Sequence, residues 1–443
     1  MGVNEDTLAD GDRMATVRSG PRRTALGAAL AGVVVAPLLA SCGSSSSSSG
    51  TPTLNWYIGA QAGGWIENAI STCNKQANGQ YKIKFQELPA RATDQREQLV
   101  RRLAANDSSI DIIGMDVIWT AEFANAGWIS AFPESARAPL TDGVLKGPVS
   151  TGTYQGKLYA APFTSNTQLL WYRKDLISDP APTWNGLIAQ AASKGLKFQI
   201  QGAKAESATV TFNALLESAG GHMIDNASAG KDATVSLEQG PTVAAMAVLH
   251  NLANSKAADP ELNTAQEDTS RQGFEKGDSL YEVNYPFIYP SSATVKLSSG
   301  KTLQSVLGWA RFPRVDANLP SKPPLGGFNL GISKHSKHYD LDVKAITCLR
   351  SSDNQKFAAI NGGNPPTLAA LYDDAALRKV YPFADVMRES INDAAPRPVS
   401  PAYNDLSLAV QDTIVPFRSI NPEKDAQNLR SLMKEALKSE AVL

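Results

Sequence analysis

Residues 111–128 read DIIGMDVIWTAEFANAGW. The run Ile110–Met115 is nearly continuous in apolar side chains, which predicts a strand buried on both faces. Asp116 then stands just past the C-terminal end of that strand, where ligands of open α/β sheets bind. A carboxylate there can accept two hydroxyl protons, or it can cap the stretch Trp119–Ala126 that follows. Upstream, alternation predicts strands at Thr53–Tyr57 and Tyr81–Leu88. In the second of these, Tyr81, Ile83 and Phe85 face one way and Lys82, Lys84 and Gln86 the other. Between Asp94 and Ala105, Leu99, Val100 and Leu103 share a helical face. Strand, helix, strand, helix, strand predicts a mostly parallel sheet with covering helices.

Downstream, from about Asn166 to Gly308, the pattern alternates in the same way. Thr211–Ala219 and Thr242–Ala253 read as helices and Ser279–Val283 as a strand. Proline clusters at Ala161-Pro162, Leu319-Pro320 and Lys322-Pro323-Pro324 punctuate the chain. The last helix is signalled by Asn421 as cap, Pro422 in the first turn, and Ala426, Leu429, Met433 and Leu437 on one face. There is no internal repeat.

The 443 residues amount to two or three domain-sized units. With 42 Lys+Arg against 43 Asp+Glu, the chain lacks the excess of cations that nucleic-acid binders carry. No HExxH, CxxC or GxSxG motif occurs. His335 and His338 are spaced for a metal, but their segment Lys334–Asp340 is polar, reads as a solvated turn and offers no convergent partner. Ser299-Gly300-Lys301-Thr302 lacks the leading glycine of a phosphate loop, since position 295 is Val295, and reads as a hairpin turn. Glycosidases use two carboxylates, and Asp116 and Glu282 offer one such pair across a cleft. The same two residues equally suit hydrogen bonds to sugar hydroxyls.

The amino terminus reads as targeting. Arg18, Arg22 and Arg23 precede the uncharged apolar run Ala25–Ala40, and small residues follow, as in a secretory signal. The ending Leu39-Ala40-Ser41-Cys42 resembles a bacterial lipobox, which implies cleavage before Cys42 and acylation of its sulfur. Arg22-Arg23 matches a twin-arginine signal only in part, so the export route stays open. Glu5, Asp6, Asp10 and Asp12 are foreign to such a signal, so Met14 stands beside Met1 as a candidate start, and the choice between them stays open. Gly43–Gly50 reads as a flexible tether. With Cys42 acylated, Cys73 and Cys348 remain, and an oxidising compartment favours a Cys73–Cys348 disulfide.

The segments TLNWYIGAQAGGWIENAI (53–70), DIIGMDVIWTAEFANAGW, KLYAAPFTSNTQLLWYRKDL (157–176) and LPSKPPLGGFNLGIS (319–333), with EVNYPF (282–287) and RPVSPAY (397–403), resemble extracellular sugar-binding proteins of the maltose-binding type. The resemblance runs from about Thr51 to the C-terminus. Within that family it is narrowest to trehalose-binding lipoproteins of mycobacterial importers, from which Tyr285 departs where they carry Trp. It implies a two-lobe α/β, periplasmic-binding-protein-like fold of type II with a cleft between the lobes. The first lobe is expected at 51–163 and 309–362, the second at 164–308 and 363–443, after a signal at 1–41 and a tether at 42–50. It implies a monomer held at the outer face of the membrane by its lipid, with a sugar as ligand, an ABC permease as partner, and neither cofactor, metal nor catalytic residue. The expected ligand contacts are Asp116, Asn166, Glu282, Asn284, Tyr285, Gly327, Phe328 and Arg397, with Gln61 and Gln95 in a second tier. Arg397, between two prolines, is a rigidly placed two-pronged donor.

Overall fold

The computed structural model describes residues 50–61, 63–89 and 91–438; the signal run, Cys42 and the tether up to residue 49 lie outside them. The apolar run forms the strand Ile112–Asp116, with Ile112, Ile113 and Met115 fully buried. It pairs in parallel with Thr53–Gly59, which pairs in parallel with Lys82–Leu88. Helices Trp65–Gln76 and Ala92–Ala104 make the connections and bury Ile66, Ala69, Leu99 and Leu103 against the sheet. The expected parallel order ends there. The long strand Pro324–Ser333 runs antiparallel between Ile112–Asp116 and Ala160–Asn166. It arrives from the far side of the molecule, so no local crossover helix dictates its direction.

A second sheet has the order Leu307–Ala310, Leu169–Arg173, Ser279–Asn284, Lys197–Gln199. Its first three strands are antiparallel neighbours and only the last pairing is parallel. Each sheet thus anchors one lobe. The chain leaves the first sheet at Asn166 and enters the second at Leu169, so Thr167 and Gln168 are the link. The boundaries drawn at 163/164 and 308/309 both fall inside strands, Ala160–Asn166 and Leu307–Ala310, because each ladder persists to the edge of its sheet. The last helix, Pro422–Leu437, is capped by Asn421 Oδ1, which accepts from Lys424 N at 3.1 Å. Its apolar face packs into the core of the second lobe with Phe212, Leu249 and Leu406.

From Gly50 onward the residues form one compact unit. Among the described residues no helix is long and apolar enough to cross a membrane, and no acidic, His or Cys cluster is arranged to hold a metal. The Ser299–Thr302 segment is a hairpin turn, with Leu297 N donating to Lys301 O at 3.0 Å and Gly300 at φ +79°.

Cys73 and Cys348 are joined as expected, with Cα atoms 5.8 Å apart and a sequence separation of 275. The bond ties helix Trp65–Gln76 to helix Tyr339–Leu349, and so fixes the late return of the chain to the first lobe. Replacing both cysteines by alanine is expected to lower unfolding stability by about 2–5 kcal/mol, read from the denaturant midpoint. An unchanged midpoint would contradict the structural role of the bond.

At the opposite end of the Ile112–Asp116 strand from Asp116, Ser336 Oγ lies 2.9 Å from Asp111 Oδ1 and 2.5 Å from Asp342 Oδ2. One hydroxyl proton cannot serve two carboxylates. Asp342 is fully buried, and burial pushes its carboxyl up to about 8, with the Asp111 charge adding and the Ser336 hydrogen bond opposing. A raised carboxyl holds its proton in the folded state longer than in the unfolded chain. Its stabilisation is therefore complete below the ordinary value of 3.8 and is lost as pH rises through about 8. Thermal melts should show stability falling across that window, and Asp342→Asn should flatten the fall.

Candidate ligand cleft

Three chain segments far apart in sequence meet where the lobes face each other. Asp116 ends the strand of the first lobe. Glu206 opens the helix Glu206–Ser218 of the second, where the helix dipole favours an acid. Arg397 follows the short strand Ala395–Pro396, which pairs with Pro324–Leu325. Its guanidinium is 4% exposed and spans the two acids, with Nη2 to Asp116 Oδ1 at 3.0 Å and Nη1 to Glu206 Oε1 at 2.6 Å. Glu206 also accepts from Tyr403 OH, and from Ser407 Oγ at 2.6 Å. The Arg397 guanidinium carbon sits 5.8 Å from the Tyr403 ring centre. Burial opposes charge on Arg397, but Asp116, Tyr403 and Glu206 together hold its pKa well above the ordinary value.

Around this triad lies a cleft of about 660 Å³. The first lobe contributes Asp116, Thr164, Asn166 and Gly326–Phe328, and the second contributes Lys204, Glu206, Gln266, Glu267, Tyr285 and Gln411. Asn166 Oδ1 is taken by Thr167 N at 3.1 Å, which leaves its NH₂ as a donor. Burial, together with the negative charge of Glu206, pushes the Glu267 carboxyl up, while Arg397 opposes. Burial first, and then Glu267, raises the Tyr285 phenol. Gly327 has φ +126°, and a Cβ there would stand 2.2 Å from Thr164 O, so the wall at this point is bare backbone. Carboxylate acceptors, a guanidinium, amides and two aromatic faces in one cleft suit a neutral ligand rich in hydroxyls.

Six of the expected contacts share this cleft: Asp116, Asn166, Tyr285, Gly327, Phe328 and Arg397. Four do not. Glu282 and Asn284 have no exposed surface and lie in the strand behind the wall, bonded to each other and to Ser270. Glu282 therefore cannot flank a glycosidic bond together with Asp116, and the glycosidase pairing falls. Gln61 turns its side-chain amide to Ala60 O at 3.0 Å, off the cleft. Gln95 is 6% exposed and packs under Gly59, where a Cβ would meet its amide at 2.5 Å. Glu206, Glu267 and Tyr403 were not foreseen. An acid at a helix start reads as a dipole partner, and only the fold shows that Arg397 reaches it.

The family model described as bacterial extracellular solute-binding protein matches residues 59–356. A protein of Deinococcus radiodurans described as a probable ABC transporter-binding protein is 24% identical over 372 residues, covering 79% of this chain and 86% of that one. Among solved structures, maltose-bound MalE3 of T. maritima is 26% identical with a TM-score of 0.76, over 86% of this chain and 99% of that one. The GacH receptor of Streptomyces glaucescens GLA.O, solved unliganded and with acarbose, is 20% identical with a TM-score of 0.73, over 88% of this chain and 100% of that one. The two-lobe α/β fold of the maltose-binding type is thereby established.

Proposed function

The chain belongs to the family of bacterial extracellular solute-binding proteins, and on that footing we propose that it captures a short sugar, a disaccharide, and hands it to an ABC importer. The family consists of extracytoplasmic binding proteins, so this is a binding protein and not an enzyme. The observation that carries the sugar reading is the Asp116–Arg397–Glu206 triad, which sets carboxylate acceptors and a two-pronged donor into the wall of a cleft with Tyr285 and Phe328 as apolar faces.

Trehalose is the first candidate, on the motif resemblance of TSNTQLLWYR, EVNYPF and RPVSPAY. Maltose is the second. It is favoured by the likeness to maltose-bound MalE3 and by Tyr285, whose smaller ring opens the cleft relative to Trp. Thermal unfolding of the unit from Gly50, with and without millimolar trehalose, maltose, glucose and glycerol phosphodiesters, separates these readings. A ligand at about 100 times its dissociation constant stabilises by about 2.7 kcal/mol. A shift with trehalose alone supports the first reading and a shift with maltose the second. No shift with any sugar overturns both.

Anchoring belongs to the same proposal. The chain is exported, cut before Cys42 and held on the membrane by acyl groups on that sulfur. Cys42→Ala should move the protein from the membrane fraction to the soluble one.

A further inference from the structure

Behind the cleft wall, a row of buried polar side chains joins two residues that face the ligand. Asn284 Oδ1 accepts from Tyr285 N at 2.8 Å, and Asn284 Nδ2 reaches the carbonyl oxygen of Glu267 at 2.8 Å. One amide thus holds the backbone of both Tyr285 and Glu267, which enter the cleft from a strand end and from the first turn of the helix Glu267–Glu275. The same Nδ2 lies 2.7 Å from Glu282 Oε1 and 3.0 Å from Ser270 Oγ. Ser270 Oγ accepts from Gln201 Nε2 at 3.0 Å, and Gln201 Oε1 accepts from Gln168 Nε2 at 2.8 Å. Gln168 belongs to the two-residue link between the lobes. Every member of the row is at most 1% exposed. Apolar packing at these positions would be cheaper than a polar row, and a polar row that is largely satisfied fixes one arrangement.

We propose that Glu282 and Asn284 are positioning residues for the cleft, pinning the first helical turn at Glu267 and the Tyr285 backbone to the first lobe crossing through Ser270, Gln201 and Gln168. The proposal rests on the cleft being the solute site.

The ionisation of Glu282 gives this role a signature. Its Oε2 is buried without a partner among the described residues. Burial pushes its carboxyl up to about 8, hydrogen bonds from Asn284 and Ser270 oppose, Glu275 adds and Arg271 opposes. Those two charged groups face it from the helix, while the neighbouring strands place Trp171 and Gln199 opposite it. Glu282 is therefore a neutral acid at neutral pH. Above about 8 a charge appears with no donor for Oε2, and the row must rearrange. Ligand affinity is thus complete below that value and declines above it.

The test uses the unit from Gly50 with trehalose and maltose as probes, titrated calorimetrically at pH values on both sides of about 8. Wild type should lose affinity through that window. Glu282→Gln, which keeps the Oε1 acceptor and stays neutral, should match wild type at neutral pH and stay flat above. Asn284→Leu should bind about tenfold more weakly, the equivalent of about one net hydrogen bond, and amide hydrogen exchange should speed up at residues 266–270 while distant segments keep their protection. Identical pH profiles for wild type and Glu282→Gln overturn the proposal, as does unchanged exchange at 266–270 in Asn284→Leu. If neither sugar binds wild type, the sugar reading fails, and the exchange measurement alone still decides the positioning role.

Discussion

Arg397→Ala is expected to weaken sugar binding at least about 100-fold, because it removes the guanidinium that bonds Asp116 and Glu206 across the cleft. Truncating one partner of a buried, hydrogen-bonded charge pair costs roughly 2–5 kcal/mol, part of it from the charges left behind. Here Asp116 and Glu206 would be left facing each other without the guanidinium that now bonds both. The ligand-free protein should melt at a lower temperature as well. Arg397→Lys keeps the charge but cannot reach two acids at once with a planar fork, so most of the affinity should still be lost. Calorimetric titration and melting curves for the three proteins check this. Wild-type affinity in Arg397→Ala would remove the triad from the binding site.

Gly327→Ala has the second large effect, and its origin is steric. A methyl group at φ +126° is strained by about 1–3 kcal/mol before any contact is considered. It would also stand 2.2 Å from Thr164 O, so the strands Pro324–Ser333 and Ala160–Asn166 must part. Since Thr164, Asn166 and Phe328 line the cleft on those strands, lost stability and lost affinity should appear together. Gly326→Ala is the control, because its Cβ meets nothing closer than 3.7 Å and the residue lacks a positive φ. Equal melting temperatures for the two variants would contradict the close-approach argument.

The first lobe was legible because its strands carry their own signal. The buried run before Asp116 and the alternation in Tyr81–Leu88 specify faces and neighbours locally. Asp116 is marked locally by its strand end, whereas Gly327 and Arg397 were expected from the family resemblance, with a glycine pair and flanking prolines as their local marks. Glu282 and Asn284 show the limit. Their spacing of two puts both on one strand face, but whether that face looks into the cleft or away from it depends on where helix Glu267–Glu275 packs, and no residue in the strand encodes that. Glu206 shows the converse, since its partners Arg397, Tyr403 and Ser407 are about 190 to 200 positions away. The mixed direction of the second sheet was hidden likewise, because long-range returns leave no local period.

Equilibrium titration of trehalose and maltose into the unit from Gly50 tests the central claim most directly. Saturable binding of one disaccharide at one molecule per chain, abolished by Arg397→Ala, is the predicted result. Absence of binding by either disaccharide to wild type, with the fold intact by melting, would contradict it.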